Sequence, residues 1–277
     1  MPVVELRRMK KTKPESNFLR RDFSRNVTSQ YGEDGVIARI FELIGTRNKW
    51  CVEFGAWDGE YLSNTWALIN EHGWSAVLAE GDAQKAAHLT ETYSPRPDVV
   101  IKHAFVSWEG PNRLDALLSY TPIPDDFDLL SIDIDGNDWH VWRALERYRP
   151  RLVVIEFNPS ASNQLYFVQD PDPNLNQGSS LLAMIDLAKQ KGYELAACTY
   201  ANAIFILKED FPKLGISDNS IDAIYEEYMT TEICQGFDGT IFAAGHMWLT
   251  WHALPLTQED FQILPAALRK YQAPAKP

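Results

Sequence analysis

The sequence predicts an α/β protein built on a doubly wound, Rossmann-like sheet, mostly parallel with an antiparallel edge strand. Three observations carry this. Short apolar runs alternate with helically periodic segments between residues 31 and 191, and such alternation produces a parallel sheet covered on both faces. The first apolar run enters a glycine-containing turn, Gly55-Ala56-Trp57-Asp58-Gly59, as the first strand of such sheets does. Two further apolar runs, 193–198 and 203–207, follow each other closely and read as a closing pair with one strand reversed.

The elements follow in order. Residues 31–44 read as a helix because Val36, Ile37, Ile40, Phe41 and Ile44 recur at helical spacing. Strand one is 50–54. A helix over 62–72 stops at Gly73, and strand two is 74–79. A helix over 83–93 is closed by Pro95 and Pro97, and strand three is 99–106. A short helix, 112–120, precedes strand four at 127–134. A helix over 139–148 ends before Pro150, strand five is 152–157, and a helix over 179–191 ends at Gly192. The polar stretch 158–178, rich in Pro, Asn, Asp and Gln, follows strand five directly. A connection that long reads as a lid or substrate loop.

Composition sets the domain plan and narrows the partners. The expected organisation is a basic arm at 1–28, a main domain at 29–215 and a helical, aromatic cap at 216–277 containing Trp248 and Trp251. Residues 1–25 carry eight Lys/Arg and three Asp/Glu, a net of +5, so the rest of the −12 chain holds −17. An acidic body repels phosphate backbones, which argues against nucleic acid as the main partner. No apolar run approaches the ~20 residues of a membrane span, and no apolar block follows the early basic residues, so the expectation is a cytoplasmic protein. Cys51, Cys198 and Cys234 are too few and scattered for a disulfide framework. The aromatic C-terminal region makes a homodimer a reasonable expectation.

Candidate chemistry gathers at the carboxyl ends of the strands, where such sheets bind ligands. Strand one runs into Glu53, Gly55, Asp58 and Gly59, and strand two is followed by Glu80 and Gly81. A glycine turn and an acid about 20 residues on suit a nucleoside-bearing ligand, the acid accepting ribose hydroxyls. The acids discriminate further. Glu53 and Asp58 would repel a pyrophosphate, and the third glycine of the dinucleotide fingerprint is absent. S-adenosyl-L-methionine, with its sulfonium and ammonium, suits carboxylates better than NAD does. Val106 and Ser107, after strand three, are candidate adenine neighbours. Gln30 and Tyr31 either close over the methyl donor or belong to a segment that caps the following helix.

Strand four ends in Asp133-Ile134-Asp135-Gly136-Asn137-Asp138, with His140 close behind, and strand five ends in Glu156-Phe157-Asn158. Asp133 and Asp135 point to one side wherever the strand persists, and so many acids repel unless a cation offsets them. Two mechanisms stay open. A Mg2+ ion on Asp135, Glu156 and Asn158 would orient an acceptor hydroxyl. Otherwise His140 or Asp135 acts as general base, with Asp133 at the reacting centre and the methyl donor. Trp57, Tyr61 and Trp139 suit either sugar stacking or a core.

The chain resembles FkbM-like methyltransferases. The carriers are Val52-Glu53-Phe54-Gly55-Ala56-Trp57-Asp58-Gly59, Leu114-Asp115-Ala116-Leu117-Leu118 and Phe127-Asp128-Leu129-Leu130-Ser131-Ile132-Asp133-Ile134-Asp135-Gly136, within roughly residues 50–210. Similar sequences also carry Ser29 to Gly35 and Asn176 to Leu181. The resemblance implies a Rossmann-like methyltransferase sheet and O-methylation of a hydroxyl on a sugar or small natural-product scaffold. It implies that Glu53, Gly55 and Glu80 hold the methyl donor and that Asp133 and Asp135 sit at the reacting centre. The family pattern Asp-x-Glu-Gly reads Asp133-Ile134-Asp135-Gly136 here, with Asp138 added. The competing readings are a non-catalytic or degenerate S-adenosylmethionine-binding subunit and a nucleotide-using oxidoreductase.

Overall fold

The computed structural model describes residues 16–271. The chain divides into two compact units, the larger being Pro14–Glu226 and the smaller containing Glu227–Pro277.

The larger unit is built on a seven-stranded sheet. In chain order its elements are α1 (Phe18–Phe23), α2 (Glu33–Ile44), β1 (Trp50–Phe54), α3 (Trp66–Asn70), β2 (Ser75–Glu80), α4 (Ala83–Tyr93), β3 (Val99–His103), α5 (Leu114–Leu118), β4 (Leu129–Ile132), α6 (Asp138–Ala144), β5 (Leu152–Glu156), α7 (Leu181–Gln190), β6 (Tyr193–Cys198), β7 (Asn202–Leu207) and α8 (Ile221–Ile224). The strand order is β3-β2-β1-β4-β5-β7-β6. All pairings are parallel except those of β7, which lies antiparallel between β5 and the outermost β6. The closing pair thus supplies the reversed strand at this edge. Strands buried on both faces read as near-continuous apolar runs, and parallel β4 (Leu-Leu-Ser-Ile) and antiparallel β7 (Asn-Ala-Ile-Phe-Ile-Leu) are both buried along their whole length.

One face of the sheet packs on α1 and α2. Leu19, Val36, Ile37 and Ile40 join Cys51, Leu129, Leu152, Val154 and Ile204 in a single core. Part of the expected arm is therefore structural. Leu19 is fully buried and Asn17 Nδ2 donates to the Cys198 carbonyl at 2.9 Å, whereas residues 1–15 of that arm lie outside the described residues. Cys51 and Cys198 are buried free thiols.

At the amino ends of β4 and β5 the sheet carries a buried ion network. Arg151 sits between Asp128 (3.0 Å) and Asp210 (2.9 Å), all three nearly inaccessible. Asp128 also accepts the backbone N–H groups of Arg47, Asn48 and Lys49. Arg151 donates to the carbonyls of Gly45 and Ile44. Burial raises the Asp210 pKa, but hydrogen bonds from Lys213 and Arg151 outweigh it and leave the carboxyl below its ordinary value.

Two expectations are corrected. The helix over 62–72 shrinks to α3, because residues 63–65 form a turn around the Glu53 carboxylate. The boundary at 215 moves to Glu226: Leu214, Ile224 and Tyr225 are buried in the larger unit, with the Tyr225 ring 5.0 Å from Phe157.

The smaller unit is not the helical cap that its aromatic content suggested. It holds an antiparallel hairpin, β8 (Thr231–Gln235) with β9 (Ile241–Gly245), a short β10–β11 pair (Trp248–Leu249, Leu254–Pro255) and 3-10 turns. β-Branched residues and Gly236, Gly239 and Gly245 favour strands and turns over helix here. Two glutamine amides lie along β9. Gln258 Oε1 accepts from Ala243 N–H at 3.0 Å, and Gln262 Oε1 from Ile241 N–H at 3.0 Å. Each Nε2 donates back to the carbonyl of the same residue. No helix among the described residues is long and apolar enough to cross a membrane.

Candidate functional site

A cavity of about 1000 Å³ opens at the carboxyl ends of β1, β2, β4 and β5. It sits where the strand order reverses between β1 and β4, the place at which doubly wound sheets bind ligands.

Two glycines let the floor form. Gly55 has φ +72°, and a Cβ there would lie 2.0 Å from the Asp133 carbonyl, so the ends of β1 and β4 meet only because the side chain is missing. A Cβ on Gly81 would lie 2.2 Å from the Phe105 ring, which is 73% exposed and lines the cavity. Between them Trp57 takes φ +51°, a backbone region unfavourable for a bulky residue. Its N–H donates to Glu80 Oε2 at 2.9 Å, and Lys85 Nζ lies 3.5 Å over its ring.

The acids fall into two groups. Glu53 is buried and accepts from Ser63 Oγ (2.6 Å), Thr65 Oγ1 (2.7 Å) and Asn64 N–H (2.8 Å). Burial still raises its pKa against those bonds. Glu80 accepts from Trp57 N–H and Asp82 N–H. Both line the cavity while anchoring its turns. Asp133, Asp135 and Glu156 form the second group, each offering a carboxylate oxygen within 4.8 Å of the others. The register explains the meeting. Ile132 pairs with Ile155, so the next residues, Asp133 and Glu156, face each other across the β4–β5 gap, within hydrogen-bond reach.

Crowding of like charge is visible in their acidities. Asp133 is open to the cavity, but desolvation by the surrounding protein, then the charges of Asp138, Asp135 and Glu53, push it up to about 8. Enclosure and then Asp133, Asp138 and Asp135 push Glu156 up to about 10. Asp138 is buried beneath and raised to about 6, chiefly by burial. It accepts from Ile134 N–H and Gly136 N–H, both at 2.9 Å, and so pins the Asp133–Asn137 turn.

Several expected positions are relocated. β4 ends at Ile132 and Asp135 has φ +57°, so a left-handed turn, not strand alternation, brings Asp133 and Asp135 together. His140 does not line the cavity: its Nε2 donates to the Gln169 carbonyl at 2.7 Å, and its ring lies between Trp108 and Trp139. In this structure His140 ties α6 to the 158–178 segment. Asp58 is likewise outside the lining, capping the N–H groups of Glu60 and Tyr61. Asn158 lies outside the lining, and its Oδ1 accepts from Ser160 N–H and Oγ. Gln30, Tyr31, Gly55, Gly81, Val106 and Ser107 all line the cavity.

Sequence reasoning missed three groups. Glu33 is fully buried and joins the 26–33 segment to the β6–β7 turn, accepting from Thr199 Oγ1 (2.6 Å), Asn202 Nδ2 (3.0 Å) and Tyr31 N–H (2.7 Å). Ser63-Asn64-Thr65 hold Glu53. Gln169 is buried inside the 158–178 segment, where it accepts from Gln177 and Gly178 N–H and donates to the Leu175 carbonyl. That segment is a bonded wall, lining the cavity through Pro173 and Asn176. Of these residues only Glu33 stands beside a glycine, Gly32; Ser63-Asn64-Thr65 and Gln169 carry no such mark.

No protein-family model matches this sequence, and no curated protein matches it. Solved structures resemble it distantly. The citrinin polyketide synthase CMeT domain is 13% identical, with a TM-score of 0.42 over 63% of this chain and 50% of that one. The N-terminal domain of EvdMO1 with SAH bound is 14% identical, with a TM-score of 0.40 over 63% of this chain and 78% of that one. A SAM dependent methyltransferase from Aquifex aeolicus is 12% identical, with a TM-score of 0.40 over 70% of this chain and 97% of that one. The chain thus spans half the length of the first.

Proposed function

We propose that the chain is an S-adenosylmethionine-dependent methyltransferase acting on a hydroxyl of a sugar or small scaffold. The carrying observation is the charge of the cavity at the switch point: among the described residues Glu53, Glu80, Glu109, Asp133, Asp135 and Glu156 line it against one basic residue, Lys85. Such a lining suits a ligand with a sulfonium and an ammonium and repels the pyrophosphate of a dinucleotide. Glu80 retains lone pairs beyond its two backbone bonds for ribose hydroxyls, and Phe105, Val106 and Ser107 offer an apolar edge for a base. The resemblance to FkbM-like enzymes in the motifs around Glu53 and Asp133 supports the hydroxyl acceptor.

When bound, the methyl donor supplies an electrophilic methyl group whose bonding electron pair stays with sulfur. The protein's own part is alignment, exclusion of water and custody of one proton. As the acceptor oxygen bonds to the methyl carbon, its proton must leave. In this reading Asp133, whose carboxyl lines the cavity and ionises once a cationic ligand sits beside it, receives that proton. Asp138 holds that turn still, and the 158–178 wall keeps solvent from one side.

Isothermal titration with S-adenosylmethionine, with and without Mg2+, tests the reading. Micromolar binding that Glu80→Ala weakens supports it. Absence of binding by folded wild type overturns it.

A further inference from the structure

The two ends of the cavity differ in how fully their carboxylates are satisfied. Glu53 and Glu80 between them accept five bonds from protein N–H and O–H groups. Asp133 accepts one from the backbone of Asp135 and otherwise has only the neighbouring acid Glu156 within hydrogen-bond reach. Among the described residues no Lys, Arg or His pairs with Asp133, Asp135 or Glu156, and the lining's one cation, Lys85, is stacked on Trp57. A separate observation points the same way. Asn137 lines the same cavity and is only 6% exposed; its Nδ2 donates to the Asp172 carbonyl, yet its buried Oδ1 has no partner. Most of the polar atoms gathered here are acceptors. What satisfies them must bring positive charge and several N–H or O–H groups.

A protonated amine has that character. Its three N–H donors reach oxygens at about 2.8 Å, which sets tetrahedral acceptors about 4.6 Å apart. The three carboxylate oxygens lie within 4.8 Å of one another. Tyr31 lines the same cavity and lies within electrostatic range of Glu156 and Asp133. Aromatic faces beside carboxylates favour ammonium groups.

We propose that the methyl acceptor is an amino alcohol, its ammonium docked on Asp133, Asp135 and Glu156 and its hydroxyl on a neighbouring carbon. The inference rests on the methyl-transfer reading for the word acceptor; the amine site itself stands on the cavity. A carboxylate has two oxygens, so Asp133 can hold the ammonium with one and meet the hydroxyl with the other.

The test is calorimetry in metal-free buffer, with and without saturating S-adenosylhomocysteine. The probes are glucosamine, trans-2-aminocyclohexanol and streptamine, each compared with its N-acetylated form. At least one amine is expected to bind tenfold or more tighter than its N-acetyl partner. Asp135→Asn with Glu156→Gln should abolish that preference while far-UV circular dichroism and a single cooperative thermal transition match wild type, which shows that the variant is folded. Equal or tighter binding of the N-acetyl forms overturns the inference. So does an amine preference untouched by the double variant, absence of amine binding in a protein that binds S-adenosylhomocysteine, or stoichiometric Mg2+ binding that the variant removes. Failure of wild type to bind S-adenosylhomocysteine instead strikes the methyltransferase reading, and the titrations without it then judge the amine site alone.

Discussion

At the amino ends of β4 and β5, Asp128 and Asp210 clasp Arg151 in a buried network in which Asp128 adds backbone N–H partners and Asp210 adds Lys213. At the carboxyl ends of the same two strands, Asp133, Asp135 and Glu156 stand together with no cation among the described residues. The residue types match; the compensation differs. Asp210 is held below its ordinary pKa, whereas Asp133 and Glu156 are pushed well above theirs. Paired buried charge belongs to the architecture, and breaking it leaves an isolated ion at high cost. Unpaired charge facing a cavity marks a place reserved for something that arrives.

The sharpest way to break this contrast is Arg151→Met, which removes the cation shared by two buried carboxylates. We expect a loss of about 3–5 kcal/mol in urea unfolding, and a loss under 1 kcal/mol would mean that the network is incidental. Next in size, Glu80→Ala should weaken S-adenosylmethionine binding at least tenfold, about 1.4 kcal/mol. It also frees the Trp57 and Asp82 N–H groups, so Tm should be recorded alongside.

At the unpaired end the sign reverses. Folded Asp133 and Glu156 keep protons that the unfolded chain, with ordinary carboxyls near 4, gives up. Their contribution to stability is therefore complete below about pH 4 and is lost as pH climbs through about 8 and about 10. Asp133→Asn with Glu156→Gln should flatten the alkaline fall in Tm, adding on the order of 2–4 °C at pH 9. A wild-type Tm no more pH-sensitive than the variant's would deny the like-charge strain. The smallest effect is reserved for His140→Phe. With the ring outside the cavity, donor affinity should hold within twofold, and Tm should drop by only a degree or two as the tie to Gln169 is cut. A tenfold loss of affinity would return His140 to the site.

Much of the fold was legible because β1 to β7 and most helices announce themselves through apolar period and Gly or Pro stops. The site was legible as a set of strand ends: Glu53, Glu80, Asp133 and Glu156 needed only the rule that ligands gather there. What stayed hidden was side-chain aim. Asp58 and Asn158 carry the right chemistry but spend their oxygens on N–H groups two or three residues away, a local competition that residue type alone does not resolve. His140 was drawn aside by Gln169, 29 positions downstream. The smaller unit misled for another reason: aromatic residues serve strands as well as helices, and its glycines were the better guide.

The paired glutamines of that smaller unit have a consequence for how the protein meets other chains at high concentration. A β-strand with a bare flank is a template on which another chain can polymerise. Gln258 and Gln262 occupy the flank of β9 at Ile241 and Ala243 with borrowed amides, doing a strand's bonding without a strand's continuity. An extended segment from a neighbour finds those two positions already satisfied, so the growth of a fibril along this flank is denied its first step.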